Sequence, residues 1–343
     1  MPLLEDLEPV PPLVVEVTRG NIVESRHLVS AVAVDTEGRV AFRAGDTGRP
    51  VYPRSAIKPL QALAMVESGA VEAFQLSRAE IALASASHAG EPVHVAAVAH
   101  WLERIGCTAA DLECGAHLPY DAASTQALLR AGEEPGALHN NCSGKHTGFL
   151  TLARHRGWPT AGYIGPAHPV QQTVLGILET MTGLDLAQAP RGADGCGIPT
   201  IAIPLANMAL AMARLADPED QPERRQAACA QVRAAMAAEP AMVGGSQSAC
   251  TRIISETGGR ALAKTGAEGV YCAALPEPGL GLALKVADGA TRAAKVAVVH
   301  LLRRLGVIGE AEAARLGGLL EAPIANRAGL VVGHVRMADD AGA

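Results

Sequence analysis

The pattern of apolar positions divides the chain into strand-like ends and a long helical middle. Short β-favouring runs cover residues 13–17, 28–35 and 40–43, and such runs return over 269–275, 280–286 and 330–336. Thr36-Glu37-Gly38-Arg39 forms a turn between the second and third runs. Runs of this length bounded by turn residues are typical of strands. The pattern therefore predicts a sheet assembled from both ends of the chain.

Between these ends the apolar positions recur with helical spacing. The predicted helices cover 57–68, 78–86, 91–105, 145–156, 168–182, 205–216 and 221–237, with a further amphipathic helix over 291–305. Four glycines follow helices of this set at positions where helices end: Gly69, Gly106, Gly157 and Gly183. We predict an α/β (α+β) protein with a strand-rich sheet subdomain of residues 1–55 and 260–343, and a mainly helical subdomain of residues 56–259. The two form one globular unit.

Composition and charge narrow the class of protein. The 343 residues are 49% hydrophobic and 19% charged, which is enough apolar material for a large core, and only 3% are aromatic. The net charge is −6 with no basic block, which argues against nucleic-acid binding. The acidic N-terminus does not resemble a signal peptide, and no run is long enough to span a membrane. We expect a soluble, cytoplasmic protein with no membrane partner.

Arg54-Ser55-Ala56-Ile57-Lys58-Pro59 contains an S-x-x-K sequence. Residues three apart share a helix face, so the Ser55 hydroxyl and the Lys58 amine can meet there. Pro59 lacks an N–H, which is tolerated in a first helical turn, so the helix is expected to start near Ser55. Burial and the helix N-terminus both favour a neutral amine. Such an amine accepts the serine proton and lets the oxygen attack a carbonyl. The simpler alternative is a capping serine with a solvated lysine.

Lys264-Thr265-Gly266 stands just before the predicted strand 269–275. An S-x-x-K sequence followed by a K-T-G triplet on a strand is the set found in serine β-lactamases and penicillin-binding proteins. There the glycine allows substrate to approach the strand, and the lysine supplies charge. The S-D-N element of that set is not evident here. A surface loop before a strand is the alternative interpretation.

A third motif, Ser85-Ala86-Ser87-His88-Ala89-Gly90-Glu91, closes a predicted helix with small residues. Small side chains leave room for a ligand, and Ser87 adds a second hydroxyl. The alternative is a polar helix end and a glycine turn, with His88 interacting with the helix dipole.

The seven cysteines do not form a disulfide or zinc-finger pattern, because their number is odd and no C-x-x-C pair occurs. Cys142 and Cys196 lie in polar, glycine-containing loops, whereas Cys229 and Cys272 lie in apolar elements. Two loop thiols and a nitrogen ligand can bind zinc. From the residues alone His146 is the default nitrogen ligand, and two unrelated buried thiols are the alternative.

Together these motifs resemble the L-asparaginase II family, the rhizobial-type or class 3 group. The resemblance spans about residues 10–336 and rests on Arg54-Ser55-x-x-Lys58-Pro59, Ala86-Ser87-His88, Asn141-Cys142-Ser143-Gly144-Lys145-His146, Asp194-Gly195-Cys196-Gly197 and Lys264-Thr265-Gly266. It implies a serine β-lactamase-like fold, similar also to glutaminases, with an antiparallel sheet, flanking helices and a helical subdomain. It implies an amidohydrolase that converts L-asparagine to L-aspartate and ammonia, typically as a homodimer.

The resemblance also implies residue roles. It predicts two Ser–Lys pairs, Ser55 with Lys58 and Ser87 with Lys264, and Ser55 is the favoured nucleophile because helix geometry fixes its lysine partner. One zinc ion per subunit is expected beside them. Its implied ligands, which replace the default His146, are Cys142, Lys145 and Cys196.

The candidates for substrate binding are Arg54, His88, Asp194 and Gly266. Other activities stay open at this point. A glutaminase or related amide hydrolase would share the motifs, and a cell-wall β-lactamase or peptidase would need export. A non-enzymatic, metal-stapled amino-acid-binding protein would leave two Ser–Lys pairs unexplained.

Overall fold

The computed structural model describes residues 10–338. Residues 1–9 and 339–343, which the sequence analysis assigns to the sheet subdomain, lie outside the described residues. The strands are β1 (Leu13–Arg19), β2 (Ile22–Val34), β3 (Val40–Ala44), β4 (Pro50–Val51), β5 (Arg191–Ala193), β6 (Pro199–Ile201), β7 (Ile203–Pro204), β8 (Leu262–Thr265), β9 (Val270–Leu275), β10 (Leu280–Val286), β11 (Ala322–Ala325) and β12 (Val331–Met337).

The helices complete the list of elements. They are α1 (Lys58–Glu67), α2 (Ala70–Ala73), α3 (Arg78–Ala84), α4 (Pro92–Arg104), α5 (Ala122–Ala131), α6 (Ser143–Arg156), α7 (Pro169–Thr182), α8 (Leu205–Ala216), α9 (Glu223–Ala238), α10 (Pro240–Gly244), α11 (Ala249–Glu256), α12 (Thr291–Arg304), α13 (Glu310–Arg315) and α14 (Gly317–Leu320). In the described part of the chain no helix is long and apolar enough to cross a membrane.

Over residues 10–338 the main sheet has eight antiparallel strands, drawn from both ends of the chain. Its order is β11-β12-β1-β2-β10-β9-β8, and β3 pairs with β2 outside this path. The long strand β2 joins the two ends, because it pairs with β1 on one side and with β10 on the other. The predicted fold class, an antiparallel sheet with flanking helices and a helical part, is confirmed.

The described residues form two compact units. The sheet unit comprises residues 10–56, 202–217 and 252–338, and the helical unit comprises residues 57–201 and 218–251. In the sheet unit α8 is buried at every residue except Arg214. It lies on β10 at Gly281, where an added Cβ would come 1.9 Å from the Ala209 carbonyl oxygen. The missing side chain therefore lets helix and strand backbones touch.

The helical unit is built around α1, which packs against α3, α6, α7 and α9. Nine of its ten residues are buried, from Lys58 to Val66. The polar first turn of α6 is buried as well. It crosses α3 at Gly144, where an added Cβ would lie 2.5 Å from the Leu83 carbonyl oxygen. This close crossing fixes the chemically reactive start of α6 within the unit.

Candidate active site

The segment before α1 is a 3₁₀ turn, Arg54–Ile57, and the α-helix begins only at Lys58. Arg54 has a positive φ of 52°, and the Ala56 amide donates to the Pro53 carbonyl oxygen at 3.1 Å. An i to i+3 bond of this kind tightens the chain before the first α-helical turn. The position of Pro59 predicts a helix start near Ser55. The α-helix begins three residues later, at Lys58, and Pro59 still lies in its first turn.

Lys58 is buried, with an exposed fraction of 1%. Its Nζ donates to the Ala86 carbonyl oxygen at 2.5 Å and lies 3.0 Å from Ser87 Oγ and 3.1 Å from Cys142 Sγ. The amine therefore joins the start of α1 to the loop after α3 and to the start of α6. Within the helical unit, the hydroxyl in contact with Lys58 is that of Ser87.

Backbone bonds hold the loop that carries Ser87. The Ser87 amide donates to the Val243 carbonyl oxygen at 3.0 Å, and the His88 amide donates to the Asn141 carbonyl oxygen at 3.1 Å. The loop is thus tied on one side to α10 and on the other to the residue before Cys142. Val243 carries no chemical signal in the sequence, since it contributes only a backbone carbonyl.

The His88 ring is fully buried and both of its nitrogens are engaged. The Gly90 amide donates to Nδ1 at 3.2 Å, so the proton lies on Nε2, which contacts Ser143 Oγ at 2.8 Å. Ser143 in turn donates to the Leu138 carbonyl oxygen at 3.0 Å. Burial, with a smaller effect of the stacked His94 ring, lowers the pKa of His88 well below its usual range. His88 is therefore neutral and positions Ser143.

The two loop thiols meet in the helical unit. Cys142 and Cys196 share a hydrogen bond, and Lys145 Nζ donates to Cys196 Sγ at 3.0 Å. The hydrogen bond from Cys196, helped by the charges of Lys58 and Lys145, lowers the pKa of Cys142, and the same bond raises the pKa of Cys196. Burial lowers the pKa of Lys145, but the two sulfur charges outweigh it and raise the value overall.

A tight turn presents Cys196 to this cluster. The Asp194 amide donates to the Ile198 carbonyl oxygen at 2.8 Å, and the Gly197 amide returns a bond to the Asp194 carbonyl oxygen at 2.9 Å. Asp194 Oδ1 also accepts from the Gly195 amide at 2.7 Å. The turn joins the paired strands β5 and β6, so Cys196 stands at the tip of a hairpin.

His146, the default nitrogen ligand from residue types alone, faces a different partner. Its Nδ1 lies 2.7 Å from the Tyr163 hydroxyl, which also accepts from the Glu113 amide at 2.9 Å. The tyrosine proton therefore points to Nδ1, and the buried Nε2 has no hydrogen-bond partner among the described residues. Burial lowers the pKa of His146 well below its usual range.

The sheet unit carries the other predicted site residues. Lys264 lies on β8 opposite Cys272 of β9, is fully buried, and donates to the Thr265 carbonyl oxygen at 2.8 Å. The triplet thus ends a strand of its own, where the sequence pattern predicts a position just before a strand. An added Cβ at Gly266 would lie 2.7 Å from the Pro53 carbonyl oxygen. The end of β8 therefore lies beside the turn that contains Arg54 and Ser55.

The chain matches the L-asparaginase II family over residues 15–337. It belongs to that family. The family is named after L-asparaginase, an amidohydrolase that acts on a small molecule. The predicted resemblance to this family is confirmed, since the match covers nearly the whole described chain.

No curated protein matches this asparaginase-family chain significantly. Among solved structures it is similar to a β-lactamase from Mycobacterium bovis, with 17% identity, 82% of this chain and 95% of that chain covered, and a TM-score of 0.41. It is also similar to Mglu in its native form in 4.3 M NaCl, with 14% identity, 88% of this chain and 66% of that chain covered, and a TM-score of 0.38. The tris and glutamate form of Mglu gives 14% identity, 81% and 59% coverage, and a TM-score of 0.38. The chain thus spans about two thirds or less of these two Mglu chains.

The family resemblance assigns three side chains to zinc, Cys142, Lys145 and Cys196. Among the described residues no group of three or more His, Cys, Asp or Glu side chains surrounds a common point. The available donors are two adjacent thiols, one with a lowered pKa, and the Lys145 amine, all at most 5% exposed. Soft thiolates with a nitrogen donor suit zinc. The donor set of this asparaginase-family chain therefore fits the metal.

Proposed function

We propose that this chain hydrolyses L-asparagine to L-aspartate and ammonia, with Lys58 carrying protons for a nucleophilic serine. The observation that carries the proposal is the buried Lys58 amine 3.0 Å from the Ser87 hydroxyl. A lysine amine that is shielded from water and in contact with a serine is what a Ser–Lys mechanism requires. The S-x-x-K spacing associates the same amine with a second serine, Ser55. Family membership supports the asparaginase type of chemistry.

In the proposed reaction Ser55 is the nucleophile. Its hydroxyl proton passes to the Lys58 amine while Oγ attacks the side-chain amide carbon of the substrate. The carbon–nitrogen bond then breaks as Lys58 returns the proton to nitrogen, so ammonia leaves and an aspartyl ester stays on Ser55. Water attacks this ester, its proton moves through Lys58 to Ser55 Oγ, and L-aspartate is released.

The contacts of Lys58 support this role. The Ala86 carbonyl oxygen at 2.5 Å and Cys142 Sγ at 3.1 Å accept two N–H donors of Lys58, and the third contact joins the amine to the Ser87 hydroxyl at 3.0 Å. We assign Ser87 to hold this orientation, and Lys264 to the second Ser–Lys pair that the family resemblance implies.

The remaining assignments concern substrate binding. Both ring nitrogens of His88 are engaged inside its loop, so we assign it to positioning of the Ser87 loop. We propose Arg54 and Asp194 for the α-carboxylate and α-amine of the substrate. Gly266, whose missing side chain lets the end of β8 approach the Pro53 carbonyl oxygen, is proposed to line the substrate site beside β8.

We propose that Cys142, Lys145 and Cys196 hold a zinc ion. A bound zinc would supply a fixed positive charge and a cross-link between the start of α6 and the 194–198 turn. The ligands must lose their protons to bind it, and the raised pKa of Lys145 means that binding releases a proton from this amine. Cys142 accepts a hydrogen bond from Lys58, and Cys196 accepts one from Lys145. The thiols proposed to bind zinc therefore also help to orient the Lys58 amine toward Ser87.

Ammonia release from L-asparagine and L-glutamine tests the proposed function, together with acid quenching during turnover and peptide mapping of the ester. Ser55→Ala is expected to lower kcat by roughly 10³-fold or more, and Ser87→Ala by about 10²-fold with the ester still on Ser55. Ser85→Ala is the matched control, because Ser85 Oγ is buried without a hydrogen-bond partner among the described residues. An ester found on Ser87, or full turnover in Ser55→Ala, would exclude Ser55 as nucleophile. Turnover of L-glutamine alone would exclude the proposed substrate.

A further inference from the structure

The helical unit contains a pocket of about 360 Å³ where several helices meet. α1 and α6 end at this pocket, α9 begins there, and the middle of α7 forms another wall. Lys58 lies at the opposite end of α1, which at a rise of about 1.5 Å per residue is roughly 14 Å away. The pocket is therefore separate from the Lys58–Ser87 contact, and a ligand bound in it is independent of the proposed function.

A buried guanidinium points to a ligand in this pocket. Arg225 lines it, is only 8% exposed, and donates from Nε to the Glu67 carboxylate. Its Nη1 is buried and has no hydrogen-bond partner among the described residues. Buried N–H donors are almost always paired in folded proteins. An oxygen atom of a bound molecule would supply the missing acceptor.

The charge of the lining favours an anion. Arg156 and Arg224 are exposed at the pocket, and neither forms an ion pair with another described residue. With Arg225 they supply three positive charges against the single negative charge of Glu67. This local excess of two positive charges stands out in a chain of net charge −6. It suits a ligand that carries two negative charges.

The rest of the wall is apolar. The half-buried indole of Trp158 lies beside the buried side chains of Leu152 and Ile177. Ligand pockets of roughly 300–1,000 Å³ typically combine such apolar walls with a few polar groups that fix orientation. We propose that this pocket binds a small organic dianion with a planar ring, with carboxylate or phosphate oxygens on the arginines and the ring against Trp158.

Calorimetric titration of the full chain with isophthalate, phenyl phosphate and neutral benzamide at low salt tests the proposal. We expect at least one of the two dianions to bind with a Kd below about 1 mM, and benzamide to bind far more weakly. Binding of isophthalate alone identifies a dicarboxylate site, and binding of phenyl phosphate alone identifies a phosphate-ester site. Failure of both dianions to bind, or equal affinity for benzamide, overturns the proposal.

Variants at the exposed arginines place the binding event in the pocket. Arg156→Ser and Arg224→Ser are each expected to raise the Kd about tenfold, or ~1.4 kcal/mol. Arg130→Ser, which removes an exposed arginine of α5 outside the pocket, leaves it unchanged. Ligand should also change the tryptophan fluorescence of the wild-type chain but not of Trp158→Phe, which retains the buried Trp101. Equal affinities in the wild-type chain and in the Arg156 and Arg224 variants, or a ligand-induced fluorescence change that persists in Trp158→Phe, would place any binding elsewhere and refute the pocket assignment.

Discussion

Replacing Lys58 with methionine removes the amine that contacts Ser87 and keeps a side chain of similar length. Three contacts disappear, to the Ala86 carbonyl oxygen at 2.5 Å, Ser87 Oγ at 3.0 Å and Cys142 Sγ at 3.1 Å. The hydroxyl and thiol are able to reorient, but the buried carbonyl oxygen is left without this donor. That loss costs about 1–3 kcal/mol of unfolding free energy.

An opposing effect limits the loss of stability. The Lys58 side chain is only 1% exposed, so folding removes its amine from water, and a buried polar group of this kind is often replaced by an apolar one at little cost. We therefore expect Lys58→Met to change the unfolding free energy by no more than about 2 kcal/mol. Loss of the proton carrier should lower kcat/KM by about 10³-fold, equivalent to about 4 kcal/mol of transition-state stabilisation.

Ammonia release and urea unfolding, measured on the same preparations, test this separation of activity from stability. Lys58→Arg should also be nearly inactive, because a guanidinium keeps the charge but cannot release its proton in this pH range. Lys295→Met, at an exposed position of α12, is the control for loss of a lysine charge and should match the wild type. If Lys58→Arg, or a folded Lys58→Met, keeps a tenth or more of the wild-type kcat/KM, then Lys58 is not the proton carrier.

Contacts near the site give three further predictions. Cys142→Ser and Cys196→Ser should each lose bound zinc, whereas Cys229→Ser, a buried thiol of α9, should keep it; equal zinc in all three by elemental analysis contradicts the ligand assignment. Because burial lowers the pKa of His88 well below 6.5, the folded chain cannot take up a proton that the unfolded chain binds. The unfolding free energy should therefore fall as pH drops below about 6.5, by up to about 1.4 kcal/mol per pH unit, and a flat urea-midpoint profile between about pH 8 and 5.5 contradicts this. Gly266→Ala places a Cβ 2.7 Å from a backbone carbonyl oxygen, so it should cost about 1–3 kcal/mol and lower kcat/KM; wild-type unfolding and kinetics would refute the close approach.

Helical periodicity predicts the long helices of this chain closely. The predicted segments 145–156 and 168–182 correspond to α6 and α7, which begin at Ser143 and Pro169 and end at the predicted residues. The glycines that come after them, Gly157 and Gly183, adopt the left-handed conformation that ends a helix. Periodicity and end signals are local properties of a sequence, so they are visible without the fold.

Elements without such local signals are the ones that sequence reasoning misses. α5 has no buried residue, so it carries no apolar stripe to detect. The short strands β8 and β11, with four residues each, are defined by their pairing partners and not by an alternating pattern. α8 is difficult for a different reason. It is buried on nearly all sides, so its sequence has no polar face that would indicate which side packs against the sheet.

For the site, residue types and spacing identify most participants but not their contacts. The S-x-x-K spacing associates Lys58 with Ser55, whereas the contact within the helical unit joins Lys58 to Ser87, 29 residues along the chain. That contact depends on how α1 crosses the end of α3, which no spacing rule contains. Similarly, the setting of Cys142 and Cys196 marks both as loop thiols, but the crossing at Gly144 and the 194–198 turn bring them together.

Because every cysteine is buried, the seven thiols can report on local opening of the native protein. None of the seven cysteines forms a disulfide and all are buried, so an alkylating reagent in solution reaches a thiol only when the surrounding structure opens. Cys272 lies in β9 of the sheet unit, while the other six belong to the helical unit. Mass spectrometry of peptides alkylated under native conditions therefore measures how often each unit opens, in one sample and without any introduced probe. If the helical unit opens more often, its thiols become labelled while Cys272 stays unmodified.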